Sequence, residues 1–185
     1  MKKSILIKLA SIAAAVSLLV GGAYAAFTSS QVTITGVNVT SATPSLKVWN
    51  GSIWKTTTNL GITETHMYPG WTGTPHTFKL GNLTGGGVPF GQVIANVVDG
   101  SGVGSWNDLK DVVQMTFTDV DGGGITYGPR TLQWWLTNPY NILNTSFLDN
   151  TGRDFQVTFS MLSSAGNSAK GKTLSFTLGF VGQTP

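Results

Sequence analysis

The chain has 185 residues and a formal net charge of +3, and the whole of that excess sits at its start: Lys2, Lys3 and Lys8 are three of eleven basic residues, leaving eight to balance eight acidic ones. Beyond them no run of Lys or Arg is available to follow a phosphate backbone, and Arg130 and Arg153 are the sole arginines, so the composition argues against a nucleic-acid partner. The absence of cysteine excludes disulfides, so packing and sheet hydrogen bonds must hold the fold.

The first element in chain order is an export signal. Lys2 and Lys3 precede an apolar run over 9–20, followed by Gly21-Gly22 and Ala23-Tyr24-Ala25. This is a basic start, an apolar middle and a small-x-small cleavage site. The run is shorter than the roughly 20 residues of a membrane-spanning helix. Residues 1–25 are therefore expected to be a signal peptide cut between Ala25 and Ala26, giving a secreted product with no retained membrane segment. Low charge and abundant Thr, Val and Gly then describe a surface tolerant of self-association.

Downstream, short runs rich in Val, Ile, Thr and Phe alternate with clusters of Gly, Asn, Asp and Pro. That pattern predicts an all-β, jelly-roll-like antiparallel sandwich with one or two short helical turns. Strands are expected at 31–40, 45–49, 76–82, 91–98, 112–118, 130–136, 154–162 and 172–181. Alternation is clearest where Phe155, Val157, Phe159 and Met161 share one face, and where Leu174, Phe176, Leu178 and Phe180 share another. The glycine-rich stretches at 85–87, 99–102 and 119–124 read as turns, because none opens a helix within a βαβ unit. Helical turns are expected at 105–112, where Ser105 and Asp108 have capping-box spacing, and at 139–143.

Catalytic residue types are scarce. His66 and His76 are the only histidines and Glu64 the only glutamate. A zinc site from these three is conceivable, but the helical HExxH arrangement is missing, and polar residues of a Pro- and Gly-rich loop account for the same pattern. Asp119 and Asp121 resemble the start of a calcium loop, yet Arg130 stands where such a loop ends on an acidic residue, so a hairpin turn is the better reading. No enzyme and no cofactor are expected. Six tryptophans, at 49, 54, 71, 106, 134 and 135, suit either a sandwich core or stacking on sugars. In a strand, adjacent Trp134 and Trp135 would face opposite ways, turning one outward as an interface. Asn38, Asn50, Asn82 and Asn144 begin N-x-S/T sequons, which are glycosylation acceptors in a host with the machinery.

Three stretches in order carry a family resemblance. Gly21-Gly22-Ala23-Tyr24-Ala25-Ala26-Phe27 resembles the Gly-Gly-x-x-Ala-Ala-Phe junction of the TasA/camelysin family, exported subunits of biofilm matrix fibres that include related archaeal bundling pilins. Tyr68-Pro69-Gly70 followed by Phe78-Lys79-Leu80-Gly81-Asn82 is similar to that family's Pro-Gly turn and its strand ending in Asn. Asn167, the run Lys170-Gly171-Lys172-Thr173-Leu174-Ser175-Phe176-Thr177-Leu178 and Gln183 resemble its closing strand. Residues 46–64 and 130–136 have no counterpart. Some family members have been described as metalloproteases, but no protease motif is present here.

The resemblance implies a jelly-roll domain over 41–185 and an N-terminal donor strand over 26–40 that completes the sheet of a neighbouring subunit in a homopolymer, with lateral bundling open. Phe27, Val32, Ile34, Val37 and Val39 are its expected anchors. The competing expectations are a monomeric surface module that binds polysaccharide and, less in keeping with the residues present, a secreted metallopeptidase.

Overall fold

The computed structural model describes residues 43–59, 61–65, 67–99 and 104–185. Two antiparallel sheets face each other. One has six strands in the order β2-β1-β3-β8-β5-β6, formed by β1 (Leu46–Trp49), β2 (Trp54–Lys55), β3 (His76–Asn82), β5 (Val113–Asp119), β6 (Ile125–Thr131) and β8 (Thr151–Met161). The other has three, β7-β4-β9, from β4 (Gln92–Asp99), β7 (Tyr140–Asn141) and β9 (Thr177–Gln183). The chain crosses repeatedly between the sheets, from β3 to β4 to β5 and from β7 to β8 to β9, which makes the sandwich jelly-roll-like, as its sequence pattern predicts.

Period-two alternation builds the core. On β8, Arg153, Phe155, Val157, Phe159 and Met161 are buried while the residues between them are not. On β5, Val113, Met115, Phe117 and Asp119 do the same, and β4 contributes Val93, Ala95 and Val97. Phe78 stacks on Phe155 with ring centroids 5.8 Å apart and meets Phe180 of the opposite sheet at 5.2 Å; Phe117 meets Trp135 edge-on at 5.0 Å. Each such side chain, fully buried, contributes about 1.5–3 kcal/mol through the hydrophobic effect, and edge-to-face geometry adds about 0.5–1.5 kcal/mol per pair.

The strands expected at 45–49, 76–82, 91–98, 112–118 and 154–162 are all present, within a few residues at each end. The one expected at 31–40 lies outside the described residues. The closing strand begins later, at Thr177, since Leu174 makes only an isolated bridge to Gly104.

The strand expected at 130–136 is not there. β6 ends at Thr131 and a short helix follows, here α2 (Leu132–Thr137). Thr131 is its N-cap, with the hydroxyl accepting from the Trp134 N–H at 3.2 Å, and Leu132 and Trp135, one helical turn apart, are both fully buried. The helical turn expected at 139–143 is instead β7, whose neighbour Ile142 donates its N–H to the Val93 carbonyl at 2.9 Å. The other short helix, α1 (Trp106–Leu109), lies within its expected span but without the capping box: the Ser105 side chain makes no cap bond, and Asp108 pairs with Lys172 at 3.3 Å.

Candidate functional site

A sandwich of six strands against three leaves sheet edges, and edges with free N–H and C=O groups are where another strand adds. Three of the four are poorly suited to this. β2 and β7 have two residues each. β6 contains Pro129, which has no N–H to donate, and a bulge against β5.

β9 is different. It runs seven residues, pairs along one side with β4 from Gln92↔Gln183 to Asp99↔Thr177, and has no strand on its other side among the described residues. Leu178 and Phe180 pack against the core yet stay half-buried, and so do Leu46 and Val48 of β1, the strand that β9 meets across the sandwich. The apolar layer is thus incompletely covered along the free edge of β9.

The residues expected to fill such an edge, Phe27, Val32, Ile34, Val37 and Val39, lie outside the described residues. So do the cleavage pair Ala25 and Ala26 and the sequon residue Asn38. Among the described residues no helix is long and apolar enough to cross a membrane.

The three remaining sequons have different surroundings. Asn50 is exposed, and its Oδ1 accepts from the N–H groups of Ser52 and Ile53 at 3.0 and 2.8 Å, closing a turn. Asn82 is 0 % exposed and gives both amide hydrogens away, to the carbonyls of Val88 and Phe147 at 3.0 Å, so in the folded chain it joins the end of β3 to two loops and is closed to a glycan. Asn144 is exposed, with its amide donating to the Gly122 carbonyl at 2.7 Å.

Of the conceivable zinc ligands, Glu64 and His76 do come together, Oε1 to Nε2 at 2.6 Å, half-buried beside Trp71 and Phe159. His66 lies outside the described residues. Glu64 is not in a strand, so its partner is set by the fold rather than by the two-residue spacing to His66.

The segment after Asp119 is a hairpin turn between β5 and β6, and it contains the most elaborate polar network of the domain. Asp119 is 0 % and Arg153 6 % exposed. One carboxylate oxygen accepts from the Gly122 N–H and Arg153 Nε, at 2.9 and 2.7 Å; the other accepts from the Asn144 N–H at 2.9 Å and from a terminal guanidinium nitrogen. Arg153 also donates to the carbonyls of Thr145 and Ser146 and to the Thr145 hydroxyl. Four donors occupy the roughly four lone-pair sites of a carboxylate, so Asp119 has nothing left for a cation. Asp121 accepts from the Asp154 N–H at 2.7 Å. The reading as a turn holds, and the buried pair is the part that sequence reasoning missed. Its signal was there: Arg153 falls in phase with Phe155 and Val157 on a strand whose other in-phase residues are apolar.

The tryptophans divide. Trp49 and Trp54 meet edge-on at 5.1 Å, with Trp54 lying over Gly81 and Gly152, whose missing side chains admit it. Trp106 is buried. Trp135 is fully buried and donates its indole N–H to the Met115 carbonyl at 3.1 Å. Trp134 is half-exposed, 5.7 Å from Tyr140 and 5.5 Å from the guanidinium carbon of Arg130. The expected split of Trp134 and Trp135 to opposite faces is not seen: on the helix their ring centroids lie 5.2 Å apart, and Trp134 packs against the edge of the core while staying partly exposed.

Together these features define an all-β antiparallel sandwich in which, among the described residues, β9 is the one long edge without a partner strand. The chain matches no family model and no curated protein.

Proposed function

We propose that this chain is a structural subunit of an extracellular filament, a biofilm matrix fibre or bundling pilus, which polymerises by lending residues 26–40 to the sheet of the next subunit. The observation that supports it is the β9 edge: seven residues long, free of proline, unpaired on one side among the described residues, and bordered by half-buried Leu178 and Phe180. An added strand there covers apolar surface and satisfies main-chain groups together. Residues 26–40 have the composition for it. Burying Val32 and Ile34 contributes about 1.5–3 kcal/mol each, and each main-chain hydrogen bond about 1 kcal/mol, so a joint without cysteine is strong enough to persist.

Export and assembly are coupled in this reading, because the segment directly follows the cleavage site between Ala25 and Ala26 and is released once the signal peptide is removed. The test is deletion of residues 26–40 from the processed protein, followed by electron microscopy. The deleted protein is expected to stay monomeric, and a synthetic peptide of that sequence to cap growing fibres of the intact protein. Normal fibres from the deletion variant, or from a variant with both Val32→Asp and Ile34→Asp, refute donation by this segment.

A further inference from the structure

A second feature lies at the opposite side of the fold and does not depend on polymerisation. On a regular strand Tyr127 and Arg130, three residues apart, would face opposite ways. The bulge prevents this: Tyr127 stands opposite Phe117 and Arg130 opposite Met115, so Gly128 and Pro129 together oppose Thr116. Tyr127 and Arg130 thereby come to the same face. Gly128 is required for it, with φ of 121° and a Cβ position only 2.8 Å from the Met115 carbonyl oxygen. Helix α2 then brings Trp134 beside Arg130, and β7 brings Tyr140 to within 5.7 Å of Trp134 and 6.3 Å of Tyr127.

The result is a pocket of about 160 Å³ lined by Thr126, Tyr127, Arg130, Trp134, Trp135 and Tyr140. Trp135 is locked by its hydrogen bond to Met115. Trp134 and Tyr140 keep aromatic surface in solvent, Tyr140 being 48 % exposed. Among the described residues Arg130 has no acidic partner. Burial, with the nearby charge of Asp119, raises the Tyr127 phenol above its ordinary pKa, so it is a hydrogen-bond donor throughout the neutral range.

We propose that this pocket binds a uronic acid residue of an acidic polysaccharide. The aromatic surface accepts the C–H face of a pyranose ring, and the guanidinium, which has no acidic partner among the described residues, takes its carboxylate in a charge-assisted bond. The volume is well below the roughly 300–1,000 Å³ of sites that enclose drug-sized ligands, which suits one sugar ring. A nucleic acid would need a track of cations where there is one, and an added β-strand would meet Pro129 and the bulge. A single-ring site of this kind has a Kd on the order of 1 mM.

Saturation-transfer NMR and calorimetric titration of the purified protein with tetragalacturonate, and with a neutral glucose tetramer, test it. Tetragalacturonate is expected to bind on the order of tenfold more tightly than the neutral tetramer. Arg130→Gln, an exposed change that leaves the fold intact, is expected to remove that preference, and Trp134→Ala to abolish both signals. The proposal is overturned if tetragalacturonate gives no signal, if Arg130→Gln leaves the preference intact, if Trp134→Ala binds normally while still folded by circular dichroism, or if an acidic peptide or oligonucleotide binds the pocket more tightly.

Discussion

Replacing Arg153 by methionine removes the cation from the polar network while keeping a side chain of similar length. Asp119, which is 0 % exposed, then retains two of its four donors, the N–H groups of Gly122 and Asn144. Breaking a buried pair on one side typically costs about 3–5 kcal/mol, because the remaining charge is uncompensated. Thr145 and Ser146 also lose their guanidinium contacts, which tie the loop before β8 to the β5–β6 turn. Against a total stability of about 5–15 kcal/mol, this is a large fraction, equivalent to a fall of about 6–20 °C in Tm. Urea unfolding followed by tryptophan fluorescence gives the difference directly. Adding Asp119→Leu to Arg153→Met is expected to recover part of the loss, since an apolar pair leaves no unpartnered charge. The reasoning fails if Arg153→Met lies within about 1 kcal/mol of the parent, or if the double variant is as unstable as the two single losses added together.

Gly128→Ala is expected to destabilise by about 1–3 kcal/mol in the same assay, since it places a Cβ against the Met115 carbonyl at a positive φ; Gly124→Ala, at positive φ with open space around it, is expected to cost less. Asp149 gives a pH dependence. Its desolvation pushes the pKa up, but backbone N–H groups of Gly85, Gly87 and Asn150 outweigh this and hold it below the ordinary value. A folded-state pKa below the unfolded one means stability that is present above the ordinary carboxylate range and is lost as pH falls through the folded value. Asp149→Asn is therefore expected to flatten the acid limb of a pH–stability curve, and an unchanged limb would show that this loop contributes nothing to it.

Much of the fold is legible in the sequence. Phe155, Val157, Phe159 and Met161 lie on one face because a strand has period two, and no distant contact is needed to read that. Turns at 85–87 and 122–124 are equally local, since glycine permits backbone angles that other residues resist. Asn82 and Arg153 also announce themselves, as polar residues in phase with apolar neighbours, although the partners that make their burial tolerable do not.

What local pattern could not decide was left to tertiary structure. The run 130–136 has strand-like tryptophans, yet Thr131 caps a helix there because Leu132 and Trp135, one turn apart, reach the core together. Asp119 meets Arg153 across 34 residues because strand pairing register sets which side chains face each other, and Glu64, which lies outside any strand, meets His76 only because the fold brings its loop against β3. The pocket of Tyr127, Arg130, Trp134 and Tyr140 depends on a one-residue bulge, and a slip of one residue turns a side chain to the opposite face of a sheet. The alternation that marks each strand is a property of the chain itself; which edge lacks a partner is a property of all the strands at once, and only their assembled order leaves β9 without one among the described residues.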